Sequence, residues 1–340
     1  MVDTGSTDAT REVARGFGAR VIEAGWEDDF SLARNLALAA ARGAWILVLD
    51  ADEYLLEKDK ASIRKLVGEA LSGPEAGGGR AFLLQQKSSS DQGDAGMLVN
   101  IVRLFPNRPD VRYEFPIHEQ VVTSLIRAGI AIWPTGIEII HSGYADPQEN
   151  LRKQRRNLAI LRAQLTAGIR VSPLTHFLLG GARLDLGEFE SALAAYTECE
   201  RLAPPGSDIA RGVRVRVVTC LVKLKRYAEA SACLPADIER AGHPELLALS
   251  GESESALGRP EEARVWFERV LSCANQAFMP PCSLAAQKIR AVLWLGAYWK
   301  ERGHAKMGVE MYRCAVACRV RGEDFTLGRL RSLYRDYGVG

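Results

Sequence analysis

Three acids, Asp50, Asp52 and Glu53, follow directly on the apolar run 45–49 in the stretch WILVLDADEY. Such a run suits a strand covered on both faces of a sheet. Two carboxylates two places apart at the carboxyl end of that strand can converge on one edge. Hard oxygen ligands of this kind suit Mg2+ or Mn2+, which keep several waters and bind substrate phosphates. An acidic strand end also has a simpler use, as a cap for the next helix. A phosphatase with a DxD nucleophile is a third chemistry. It calls for Thr or Val two places after the second Asp, where this chain has Tyr54.

The segments that must position these acids alternate between helix and strand up to about residue 145. STDATREVARGFG reads as a short helix capped by Ser6 or Thr7 and stopped by Gly16 or Gly18, and ARVIEA as the strand after it. Ser31 should cap LARNLALAAARG, which Gly43 ends before the 45–49 strand. This β-α-β-α-β order predicts parallel strands with crossover helices, and ligands of such sheets bind beyond the strands' carboxyl ends. Asp3 and the Asp50 cluster both fall at such ends. Beyond the glycines at 77–79, AFLLQQK, LVNIVRLF, GIAIW and IEIIHSGY read as shorter strands of mixed direction.

From about residue 146 the texture is purely helical. PQENLRKQRRNLAILRAQL is an amphipathic linker helix, and a repeat follows. Leu179-Gly180, Leu186-Gly187, Phe189, Ala192, Tyr196 and Pro204 occupy tetratricopeptide positions in register. Gly251, Leu257-Gly258, Ala263 and Phe267 repeat the pattern, and so do Leu295-Gly296, Gly303 and Tyr312, with a degenerate unit around CLVKLKRYAEASACL. Small residues let paired helices approach, and the aromatics are expected to fill the space between pairs. The reading is α/β plus all-α: a nucleotide-binding domain over 1–145, a linker helix over 146–170 and a tetratricopeptide α-solenoid over 171–340.

Composition is that of a globular protein, with 47% hydrophobic and 25% charged residues and a net charge of +2. No polybasic tail argues for nucleic acid, and no apolar run is long enough for a spanning helix. All seven cysteines lie in the second half without a CxxC pair, which points to a reducing, cytoplasmic setting. Cys314 and Cys318 are one helical turn apart, and small buried helix residues are the better reading for both.

VDTGSTDAT, DDFSLARNLALAAARGAWILVLDADE, VRLF, IHEQ and HSGY follow one another in an order and spacing that resemble family 2 glycosyltransferases. The resemblance is to the bacterial branch fused to tetratricopeptide repeats, which includes the sublancin-type peptide S-glycosyltransferases. It implies a GT-A (Rossmann-like) fold and inverting transfer from a nucleotide-sugar, most often a UDP-sugar, to a peptide, protein or glycan acceptor. Carried over by position, Asp3 should contact the nucleoside and Gly5 let the turn pass close to it. Arg34 and Asn35 should line the diphosphate side. Asp50 should lie near the ribose and the metal, Mn2+ or Mg2+, with Asp52 as its direct ligand and His141 completing the site. Glu119 is the candidate general base, with His118 orienting it or touching the acceptor, and Asp110 and Glu114 next in line.

One departure from the family bears on activity. Members begin with a strand some 30 to 40 residues before DTGSTD, often followed by Lys-Asn-Glu-Glu, whereas Met1-Val2 here already matches the end of the second strand. The expectation is a nucleotide domain lacking its first strand, through a truncated gene model or a real loss. The competing function is a catalytically impaired adaptor that works through its repeats.

Overall fold

The computed structural model describes residues 1–72, 79–88, 98–141, 147–167, 172–233, 242–274, 276 and 278–339, without the side chains of Ser88, Pro147 and Glu149. Strand β1 (Val2–Asp3) ends in a turn closed by its own side chain. Asp3 accepts hydrogen bonds from the backbone N–H of Gly5 (3.2 Å) and Ser6 (3.1 Å) and from the Ser6 hydroxyl. Gly5 sits at φ 117°, a conformation that a side chain resists. Ser6 thus belongs to the Asp3 turn and caps no helix, contrary to the sequence expectation. Helix α1 (Thr10–Gly16) starts later, with the Asp8 carboxylate accepting the Thr10 N–H at 3.0 Å. Helix α2 (Phe30–Ala40) is capped by Asp29, which accepts the Leu32 N–H at 3.1 Å. Ser31, expected as that cap, lies inside the helix and donates to Asp29 at 2.6 Å. A carboxylate placed at the N-cap reaches the free N–H groups of the first turn, and a hydroxyl already inside the turn does not.

The expected single parallel sheet is divided. β2 (Ile22–Glu23) runs parallel to β1, with Val2 opposite Ile22, and these two strands form a sheet of their own. The other strands are β3 (Trp45–Leu47), β4 (Glu53–Leu55), β5 (Arg80–Ser88), β6 (Leu98–Pro106) and β7 (Ala131–His141). They form a five-stranded sheet in the order β3-β6-β5-β7-β4. β3 is antiparallel to β6, with Ile46 opposite Phe105, and β4 is antiparallel to β7, with Glu53 opposite His141. The segments GIAIW and IEIIHSGY, read as two strands, join in the single strand β7, and 142–144 lie outside the described residues.

β1 and β3 are each an edge of their sheet, and a cavity of about 660 Å³ is lined by both. Leu47 and Leu49 are therefore 38% and 39% exposed, in a run expected to be covered on both faces. Elsewhere the sheet is covered. Phe105 packs with Leu38, Ile46 and Leu125 on one side, and its neighbour Leu104 with Ile63, Leu84 and Ile139 on the other. That alternation is the period of two of a strand. The helices closing these faces include α2, α3 (Glu57–Ser72) and α4 (Val122–Arg127).

The remaining helices are α5 (Pro147–Thr166), α6 (Pro173–Asp185), α7 (Phe189–Leu202), α8 (Asp208–Lys223), α9 (Tyr227–Ala232), α10 (Pro244–Ala256), α11 (Pro260–Val270), α12 (Leu284–Glu301), α13 (Ala305–Arg321) and α14 (Leu327–Asp336). Three pairs share one device. A Cβ added at Gly180 of α6 would lie 2.5 Å from the Tyr196 ring of α7, and one at Gly251 of α10 2.7 Å from the Phe267 ring of α11. At Gly296 of α12 the corresponding distance to the Tyr312 ring of α13 is 3.1 Å. The repeat aromatics thus fill the space within a pair, where glycine admits them, and Phe267 also stacks on Trp294 of the following pair at 4.7 Å, as the sequence reading expected between pairs. All seven cysteines are free thiols, and Cys314 and Cys318 are buried on α13. No helix among the described residues is long and apolar enough to cross a membrane.

Two compact units result, 1–87 with 100–143 and 159–164, and 88–99 with 144–158 and 165–340. Helix α5, over the segment expected as a linker helix, contributes residues to both.

Candidate active site

Arg34 projects from α2 between two acids. Its Nε donates to Glu119 Oε1 at 2.5 Å and its Nη2 to Asp50 Oδ1 at 2.8 Å. Burial opposes its charge, but Asp50 and Glu119 outweigh burial and hold its pKa above the ordinary arginine value. The guanidinium also lies 5.3 Å from the centre of the Tyr113 ring. The second oxygen of Asp50 accepts from Arg103 Nη2 at 2.6 Å, and the same nitrogen donates to Glu53 Oε1 at 2.8 Å. Burial works to raise the Asp50 carboxyl, yet Arg103 and Arg34 bring it below the usual carboxylate range. Glu53 is held further by the Asp50 N–H at 2.8 Å and by the Gln86 amide. The result is a chain of alternating charge, Glu119–Arg34–Asp50–Arg103–Glu53. Arg34 and Asp50 line the 660 Å³ cavity together with Asp3, within the size range of small-molecule sites.

Asp52 and His141 meet separately, with Nε2 to Oδ2 at 3.1 Å and both side chains partly exposed. The pairing follows from β4, which sets Glu53 opposite His141 and so brings the adjacent Asp52 to the end of β7. Asp50 does not join them, because both of its oxygens face arginines. A hard carboxylate and an imidazole fit a divalent cation at Asp52 and His141. At Asp50 a cation would have to displace a guanidinium.

Glu119 sits in a loop closed by an isolated bridge, in which Glu114 and Gln120 exchange backbone hydrogen bonds of 3.0 and 3.1 Å. Within it Phe115 (φ 75°) and His118 (φ 52°) hold left-handed backbone, strain that side chains adopt where surrounding structure imposes it. His118 is exposed as a residue, yet burial of its ring lowers its pKa against the pull of Glu119, whose side chain is only 12% exposed. Asp110 and Glu114 are bound by surface arginines, Arg108 (2.9 and 2.6 Å) and Arg127 (2.8 Å). Asn35 faces the protein: it donates to the Tyr113 carbonyl at 3.0 Å and accepts the Tyr113 N–H at 2.9 Å, pinning the segment that enters the Glu119 loop. Asp3 is buried beside the cavity, and the Ser6 hydroxyl leads in holding its carboxyl below the ordinary range. Arg103 and Gln86 were missed as site residues, and Glu53 was read only as a member of the acidic cluster. For Arg103 a signal existed, a charged residue inside the apolar alternation of VRLF.

Residues 1–82 match the sequence model of glycosyl transferase family 2. Residues 175–205 match the tetratricopeptide repeat. A TPR repeat-containing protein of Synechococcus elongatus is 37% identical over 203 residues, 56% of this chain and 47% of that protein. The chain thus spans about half the length of this curated relative. Among solved structures, MamA from Desulfovibrio magneticus RS-1 is 18% identical at a TM-score of 0.40, covering 53% of this chain and 93% of its own. A further MamA crystal structure is 15% identical at a TM-score of 0.38, covering 51% and 95%.

Proposed function

We propose that the N-terminal domain is an inverting, metal-dependent glycosyltransferase of GT-A type. It moves a sugar from a nucleotide-sugar, a UDP-sugar in the first instance, to a peptide, protein or glycan acceptor that the repeats help to select. The observation that carries this reading is the Glu119–Arg34–Asp50–Arg103–Glu53 chain set against a cavity that Asp3 also lines. The family match over 1–82 supports it. Arg34 offers a planar fork that suits a diphosphate as well as it suits carboxylates. A diphosphate entering the cavity would draw Arg34 from Glu119 and free that carboxylate. Glu119 then takes the proton of the acceptor nucleophile as it attacks the anomeric carbon, and the bond from that carbon to the diphosphate oxygen breaks. Asp3 and the Gly5 turn serve the nucleoside, and Asn35 holds the Tyr113 segment that carries the base. Asp52 and His141 would hold Mn2+ or Mg2+, with Asp50 as a further ligand once an arginine leaves it, and the cation would offset charge on the departing diphosphate.

The test is Mn2+-stimulated UDP-sugar hydrolysis and transfer, compared with Glu119→Gln. A second reading has its own observation: both oxygens of Asp50 are neutralised by arginines. On that reading the domain is an impaired enzyme and the protein a cytoplasmic adaptor whose repeats bind a partner protein. Peptide binding by the repeats without any Mn2+-stimulated turnover would favour it.

A further inference from the structure

Away from the charged chain, His243, Glu245 and Cys282 come together in the helical half. One potential ligand atom from each lies within 4.8 Å of the others. His243 is the N-cap of α10, Glu245 stands in the first turn of that helix, and Cys282 lies just ahead of α12. The His243 ring is 7% exposed and packs edge-on to Phe278 at 5.4 Å. Its Nε2 lies 2.8 Å from the Pro280 carbonyl oxygen. A carbonyl only accepts, so Nε2 carries the proton and Nδ1 presents a lone pair. That Nδ1 is buried and has no hydrogen-bond partner. A ring fixed by a bond from its other nitrogen to a backbone carbonyl is the arrangement that orients histidine toward a metal. Burial and the Glu245 carboxylate push the Cys282 thiol up to about 12, with the Glu245 backbone N–H directed at its sulfur opposing them, so a thiolate forms there only with a cation to hold it. Arg216 Nη1 lies 3.3 Å from one Glu245 oxygen and leaves the other for a ligand. A thiolate, Glu245 and Arg216 together carry one net negative charge. Arg290, the other cation that feels Glu245, is paired with Glu252.

We propose that His243, Glu245 and Cys282 form a site for a thiophilic divalent cation, Zn2+ in the first instance, that clasps the segment before α12 to the start of α10. A sulfur, a nitrogen and an oxygen ligand suit Zn2+ or Co2+ and disfavour Mg2+ and Ca2+. Three protein ligands leave a fourth tetrahedral position for water. Ligands of a tetrahedral zinc stand about 3.5 Å apart, so binding draws the three together by about an ångström. The Cys282 S–H bond is exchanged for a sulfur–metal bond, and the proton passes to solvent.

The full chain is titrated with CoCl2 and, separately, ZnCl2, after dialysis against chelator. The expected result is one cobalt per chain with a thiolate-to-metal charge-transfer band, displaced by Zn2+, and a rise in Tm of the helical half on zinc binding. Cys282→Ser should abolish the band, His243→Gln and Glu245→Gln should each weaken binding at least tenfold, and Cys233→Ser should leave it unchanged. Glu245 is partly exposed, so its variant tests the site even if the buried His243→Gln misfolds. Absence of the band in the wild-type chain, or its persistence in Cys282→Ser, overturns the assignment.

Discussion

Replacing Arg103 by Met removes the cation that bridges Asp50 and Glu53. The Glu53 side chain is fully buried and that of Arg103 is 4% exposed. Without Arg103, Glu53 keeps the Asp50 N–H and the Gln86 amide but loses its counter-charge. Asp50 keeps Arg34 and is 35% exposed, so water and Arg34 absorb most of its loss. Removing one member of a buried ion pair costs about 3–5 kcal/mol, and the donors left to Glu53 set the expectation at the low end, near ~3 kcal/mol. At about 1.4 kcal/mol per decade this is roughly a hundredfold in local opening. With two compact units a single unfolding free energy is not defined, so amide hydrogen exchange resolved by segment is the appropriate assay. Protection in β3, β4 and β6 should fall by about a hundredfold, with α10–α13 unaffected. Adding Glu53→Gln to Arg103→Met removes the orphaned charge yet keeps an acceptor for the Asp50 N–H, and should recover more than half of the loss. A fall of less than tenfold in the single variant, or no recovery in the double, would refute the reasoning. The pH dependence has a definite sign. The arginines lower the folded pKa of Asp50 below its ordinary 3.8, so their stabilisation is present above that value and lost as pH falls through the lowered one. In Arg103→Met the lowering shrinks, and stability over that acid interval should fall less steeply than in the wild type.

Three further outcomes are expected. Glu119→Gln should leave UDP-sugar binding within a few-fold while transfer falls by about 10²–10⁴-fold, and equal losses of both would move Glu119 into the nucleotide pocket. Asp52→Asn takes the carboxylate from His141, so Mn2+ stimulation of donor binding or turnover should be lost; undiminished stimulation would remove Asp52 as a ligand. In the repeats, Gly180→Ala drives a methyl toward the fully buried Tyr196 and should cost about 1–3 kcal/mol. Gly181→Ala meets only the Tyr196 hydroxyl at 3.8 Å and should be neutral or slightly stabilising, so equal shifts in Tm would discredit the close-approach account.

What was legible in the sequence was local. The spacing of Gly180 and Tyr196, or of Gly251 and Phe267, already implies a glycine on one helix meeting a ring on the next, because a short turn leaves the pair few other ways to pack. Strand partnership is not local. Trp45 pairs with Pro106 and Glu53 with His141, and nothing in the order of elements shows that β3 would turn its second edge to a cavity and leave β1 and β2 in another sheet. The acids are the instructive case. Asp50, Asp52 and Glu53 read as one cluster converging on a metal, but a strand lets adjacent side chains leave by opposite faces and a turn re-aims them again. Here one acid meets a histidine, one meets two arginines and one is buried altogether. The deciding residue was visible in LVNIVRLF. An arginine flanked by Val102 and Leu104 in a strand covered on both faces cannot be solvated, and a buried guanidinium demands carboxylates. LDADE, on the segment that leads out of the neighbouring strand β3, supplies them. Arg103 therefore sets the direction of Asp50 and Glu53 before any ligand arrives. A cation or a diphosphate entering this site competes with guanidinium groups for the carboxylates, and Arg34, the more exposed of the two arginines, is the one positioned to yield.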